Sequence, residues 1–126
     1  MFAFLSKLIS KTRPIFIENS WVPKFLSKFA PINIGAITLG FFVFSRGVVS
    51  ESTRRHETIH LHQQIETGFL LFYVLYLYYW LKSKVKGIPG DESYMLIPFE
   101  KEAYTNELDQ EYLQKRKFWA WTKYIE

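Results

Sequence analysis

The sequence predicts a mainly α-helical domain with a small β-strand or hairpin element, in which a long central helix packs against a C-terminal one. Three observations point there. The stretch from Glu51 to about Lys84 holds no proline and one interior glycine, Gly68, and so reads as one continuous helix. Ahead of it, Ile32, Ile34, Ile37, Leu39, Phe42 and Phe44 give an alternation interrupted by Gly35 and Gly40, as in one kinked strand or a tight pair of strands. Behind it, a charge-rich segment opens near Pro98 and continues to about Lys117 as a last helix.

With 126 residues the chain is long enough for one domain and too short for two. Residues 1–126 therefore form a single unit. It comprises an amphipathic N-terminal segment at 1–30, a strand region at 32–46, the central helix at 51–84 and the last helix at 98–117. Within the first segment, Phe2 to Lys11 and Pro23 to Phe29 each set lysines beside Phe and Leu, the pattern of an interfacial anchor or of packing onto the core. The N-terminus is broken by Lys7 and lacks a long apolar run before a small-residue cleavage site, so it is not expected to be a cleavable signal peptide. Ser50 or Ser52 suits the N-cap of the central helix, and Glu51 suits its dipole. A turn is expected at Gly87-Ile88-Pro89-Gly90-Asp91.

The central helix carries His56-Glu57-Thr58-Ile59-His60, an H-E-x-x-H string. Residues i and i+4 stack on one helical face about 5–6 Å apart, which suits two imidazoles gripping one Zn²⁺. Glu57 falls about 100° further round, beside such an ion and not on it, where a general base belongs. His62 lies about 200° from His60 and points off that face, as a surface or contact histidine. Catalytic zinc takes three protein ligands. The candidates for the third are Glu102 and Glu100, about 200° apart on the last helix, so one of the two faces inward. Asn106, four residues past Glu102, could hydrogen-bond the back of a liganding histidine, and Gln63 shares the His56/His60 face.

Composition narrows the remaining classes. The chain has no cysteine, so it forms no disulfide and any zinc must be held by His and carboxylate alone. Its net charge of +4 suits an anionic membrane surface, and no Lys/Arg stripe interleaved with aromatics marks a nucleic-acid partner. Aromatic residues make up 19%, and the run from Gly68 to Leu81 is apolar or aromatic on every side. That run of 14 residues is roughly 21 Å long, short of a bilayer's roughly 30 Å, so it fits burial or a dip into the interface better than a span. The expected location is membrane-associated or cytoplasmic.

The H-E-x-x-H string, followed after an apolar helix by Glu102-Ala103-Tyr104-Thr105-Asn106, resembles the gluzincin zinc peptidases, and among them the HtpX-like membrane peptidases. More narrowly, the block from about Ile32 to Tyr124 is similar to short bacterial and phage proteins with the same H-E-x-I-H-x-x-Q-Q-x-E and F-E-x-E-A-Y-x-N-E strings. The resemblance implies zinc held by His56, His60 and Glu102, with Glu57 as base and Asn106 as support. Asn106 stands where the family carries Asp, and its amide raises histidine basicity less. The implied activity is a membrane-associated zinc metallopeptidase acting on a peptide or protein. The alternatives are a non-catalytic binding protein on a peptidase scaffold and a zinc hydrolase of a non-protein amide.

Overall fold

The computed structural model describes residues 2–29 and 34–125. Its first helix, α1 (Phe2–Ser10), buries Ile9 and leaves Phe4 and Leu8 exposed. After Pro14 comes a strand too short to show alternation in the sequence, β1 (Ile15–Ile17). The second amphipathic segment forms α2 (Val22–Ser27), with Pro23 in its first turn, where its missing N–H would have had no intrahelical partner. The strand region then takes the hairpin form, β2 (Ala36–Leu39) antiparallel to β3 (Phe42–Ser45); Ile32, at its predicted start, lies outside the described residues. Gly40 turns the hairpin at φ 61°, a conformation glycine adopts without a Cβ clash. β1 adds parallel to β3, so the sheet order is β1-β3-β2 and β2 is an edge strand.

The central helix starts where the sequence places it. Ser50 is the N-cap of α3 (Glu51–Thr67), its hydroxyl accepting the Thr53 N–H at 3.2 Å. It does not continue to Lys84. Gly68 enters the left-handed region at φ 75°, and the N–H of Phe69 closes back onto the Gln64 carbonyl at 2.7 Å. This is a Schellman-type stop, which satisfies carbonyls that a helix end would otherwise leave open. A glycine that a helix interior tolerates at about 1 kcal/mol serves here as the terminator. The chain then folds back as α4 (Leu70–Val85), bringing the Phe72 ring within 6.0 Å of the His60 ring.

The expected turn covers Lys86 to Pro89, with Gly87 at φ 84°, but the chain re-enters helix at once as α5 (Gly90–Met95). α6 (Pro98–Asn106) opens at its proline as predicted and ends after nine residues instead of reaching Lys117. A turn, a short α7 (Tyr112–Lys115) and a 3-10 segment (Ala120–Tyr124) follow, folding Arg116 and Trp121 into the interior. Phe72, Ile97, Phe99 and Trp121 form the main apolar core. Phe99 is its centre, with ring centroids 4.5 Å from Phe72 and 4.7 Å from Trp121. This packing seats α6 against α3 and so fixes the distance between the motif histidines and the α6 carboxylates. Among the described residues no helix is long and apolar enough to cross a membrane.

Candidate metal centre

The middle of α3 is unusual in being polar and buried together. His56, Glu57, His60, Gln63 and Gln64 are each no more than 6% exposed, so each needs a partner inside the protein. Stacking at i and i+4 sets the two imidazoles edge to face, ring centroids 4.8 Å apart, with their Nε2 atoms 3.2 Å from each other. His56, Glu57 and His60 form a buried group whose possible ligand atoms all lie within 4.8 Å, and such a group could hold a metal ion.

The α6 carboxylate that joins them is Glu100. Its Oε1 lies 3.1 Å from each histidine Nε2, while Oε2 accepts the Tyr76 hydroxyl at 2.6 Å. Glu102, the residue favoured from the sequence, turns the other way. It is fully buried against Arg116, accepting from Nε at 2.5 Å and Nη2 at 3.1 Å, and takes the Tyr112 hydroxyl at 2.6 Å. The two carboxylates do sit on opposite sides of the helix, as their spacing requires. A buried guanidinium captures one and leaves the histidines to the other. The Arg116 signal was in the sequence, but nothing there says that this residue folds inward.

Both histidines are oriented from behind. His56 Nδ1 meets the Glu107 carboxylate at 2.9 Å, and His60 Nδ1 meets Gln63 Oε1 at 2.7 Å. Since a carboxylate and an amide oxygen only accept, both Nδ1 atoms carry the hydrogen and both Nε2 atoms face inward. Gln63, on the His56/His60 face, thus holds His60 from behind. Asn106 does not: its amide donates to the Glu102 carbonyl at 2.8 Å and to the Tyr124 hydroxyl at 3.1 Å. Glu107 takes that part, steadied by Arg55, which donates to its backbone carbonyl. Seven residues past Glu100, it lies on nearly the same helical side, and that spacing could have revealed it.

The inward triangle of two nitrogens and one oxygen has sides of 3.1, 3.1 and 3.2 Å. A tetrahedral ion with bonds of about 2.0–2.1 Å separates its ligands by roughly 3.3–3.4 Å, so the triangle fits one with small adjustment. Charge agrees with geometry. Burial alone would push His60 down, but the Glu100 charge and hydrogen bond, with Glu57 beyond, outweigh it and raise His60 to about 9. Burial would push Glu100 up, yet the His60 charge and the bonds from both imidazoles hold it well below the usual carboxylate range. The pocket is built to hold positive charge between its rings.

Glu57 stands beside the triangle, Oε2 at 3.7 Å from His56 Nε2, while Oε1 accepts the Thr38 hydroxyl of β2 at 3.1 Å. Burial raises its pKa, partly offset by the two histidines. His62 points off this face as expected but is fully buried, its Nε2–H donating to the Thr12 carbonyl at 3.0 Å, and burial pushes it down to about 4. A cleft of about 980 Å³ opens over the site, walled by β2 on one side and by Tyr73, Tyr76 and Trp80 of α4 on the other. Tyr94 and Tyr104 also line it, with Tyr104 packed 4.5 Å from the His56 ring; Tyr112 is turned to Glu102, and Arg54 pairs with Glu18 at 3.6 Å. No family model, curated protein or solved structure matches the chain.

Proposed function

We propose that the protein is a zinc-dependent hydrolase of gluzincin type that cleaves peptide bonds, with His56, His60 and Glu100 as the ligands. The observation that carries this reading is the triangle of inward donors with its two rear-anchored imidazoles. Two imidazoles, one carboxylate and no sulfur suit zinc, which when bound supplies Lewis acidity that acidifies a water and polarises a carbonyl.

The chain's own groups do the rest. Thr38 holds one Glu57 oxygen and leaves the other turned to the histidines, so Glu57 can accept a proton from an attacking water and return it to the leaving amine. Its burial-raised pKa brings it closer to neutral and makes it a better base there. The edge position of β2 supports an extended peptide as substrate. In its pairing with β3, Ala36 and Thr38 share one phase of the two-residue alternation. The Thr38 carbonyl faces outward, to Gln64 and Tyr73, so Ala36 presents its N–H and carbonyl on the same side as the cleft. Glu57→Gln should keep zinc and lose hydrolysis of a peptide library; peptide cleavage at the parent rate would remove this mechanism.

We also read the chain as working at a membrane surface, on a separate observation. Leu70, Val74, Leu77, Tyr78, Leu81 and Val85 are all exposed and, at 100° per residue, share an arc of roughly 100° on α4. Lys82 and Lys84 border that arc on either side, an arrangement suited to an anionic interface. Co-sedimentation with anionic vesicles should be seen for the parent and lost in Val74→Glu/Leu81→Glu; equal sedimentation of both would contradict it.

A further inference from the structure

Glu102 is displaced from the metal triangle, yet it remains coupled to it. Its carboxylate accepts four hydrogen bonds from three neighbours: Arg116 through Nε and Nη2, the Tyr112 hydroxyl, and Gln63 Nε2 at 3.0 Å. The second Gln63 amide hydrogen goes to the Phe99 carbonyl, also at 3.0 Å. Both groups facing the Gln63 nitrogen are therefore acceptors. Reversing the amide would break both bonds from its nitrogen, set its oxygen against a carboxylate and a carbonyl, and turn its NH2 toward the His60 Nδ1–H, at a cost well beyond one ordinary hydrogen bond. With the nitrogen so held, the Gln63 oxygen has one place to go, which is His60 Nδ1 at 2.7 Å. That oxygen only accepts, so Nδ1 keeps the hydrogen and Nε2 is the atom presented to the triangle.

We propose that Glu102, clamped by Arg116, is a positioning residue that fixes the orientation of the Gln63 amide and, through it, the His60 ring, with Nδ1–H held to the rear and Nε2 turned inward. The inference rests on the zinc reading for its consequence and on the metal-free protein for its geometry. It also explains why a charged network lies buried behind the site. Glu66 provides a built-in control. It binds the same guanidinium from the other side, with oxygens at 2.7 Å from Nη1 and 2.9 Å from Nη2, and caps the Trp119 N–H at 3.0 Å. It has no bond to Gln63 among the described contacts, so its loss should weaken the protein without releasing the amide.

Three variants separate positioning from structural support: Glu102→Gln, Glu66→Gln and Gln63→Met. Their thermal midpoints show whether the first two are comparably destabilised. In the metal-free protein, NMR of the Gln63 side-chain amide and of the His60 ring nitrogens should show slow hydrogen exchange and a single Nδ1–H in the parent and in Glu66→Gln. Glu102→Gln should show faster exchange or doubled signals. Competition with a chelator should then give zinc binding weakened roughly 10–100-fold in Glu102→Gln and Gln63→Met, and little changed in Glu66→Gln. Equal losses in Glu102→Gln and Glu66→Gln would make the network structural only and overturn the proposal. So would an unaltered Gln63 amide in Glu102→Gln. A parent that binds no zinc but shows the expected NMR pattern would instead defeat the hydrolase reading and leave this one standing.

Discussion

Raising the pH of the metal-free protein should unfasten the site, because the proton shared by His60 and Glu100 stands in for the cation. Burial disfavours charge on His60, but Glu100 and Glu57 overcome it and hold the folded ring at about 9 against an ordinary 6.5. A group raised on folding contributes its stability in full below its unfolded value and loses it as pH climbs through the folded one. The window is therefore from about pH 6.5 to 9, and the 2.5 pH units between those values, at about 1.36 kcal/mol each, come to roughly 3 kcal/mol. The depressed Glu100 is the same interaction met from its other partner; its share is present above about 4.5 and lost as pH falls, so it is counted once. Glu57, raised by burial, acts in the same direction as His60. Against a typical total of about 5–15 kcal/mol the effect is large. Urea unfolding of chelator-treated protein at pH 6, 7.5 and 9 should show the midpoint falling steadily at near-constant slope, and Glu100→Gln should flatten the trend. Stability that is level or rises across that range would refute the charge assignment.

Other outcomes follow from the same geometry. Zinc binding at pH 7 should release protons, read as a buffer-dependent heat by titration calorimetry, since the ion displaces the His60 proton. Tyr76→Phe removes the 2.6 Å bond that turns Glu100 toward the histidines and should weaken zinc binding about 10-fold with the fold intact by circular dichroism. Gly68→Ala forces a Cβ into φ 75° with no other steric neighbour nearby, so it should cost only the backbone term, about 1–2 kcal/mol by denaturant unfolding. Phe99→Ala, at the fully buried centre of the aromatic core, should cost about 3–5 kcal/mol and disturb the metal site with it.

Local chemistry was legible in the sequence and tertiary choice was not. The H-E-x-x-H spacing, the Ser50 cap, the Pro98 helix start and the off-face direction of His62 follow from helix geometry within a turn or two, and all are present. Gly68 was visible but ambiguous, because a helix can absorb a glycine or end on it; the deciding factor is the apolar face of α4, which gains by folding back onto Phe99. β1 has three residues and exists only because β3 is there to pair with. The choice between Glu100 and Glu102 was decided by Arg116, the extended residue just past α7, reached through two turns. The resemblance to gluzincins favoured Glu102, and only the fold shows that a guanidinium already holds it. Glu107 and Thr38 were missed for different reasons: the first had a helical spacing to betray it, the second comes from a strand whose register no sequence pattern sets.

The proposed chemistry requires one ion among His56, His60 and Glu100. Metal analysis of protein purified without added zinc, with Glu100→Gln prepared alongside, tests this most directly. Close to one zinc per chain in the parent and almost none in the variant is the predicted result. A metal-free parent that gains no stability when zinc is supplied would contradict it.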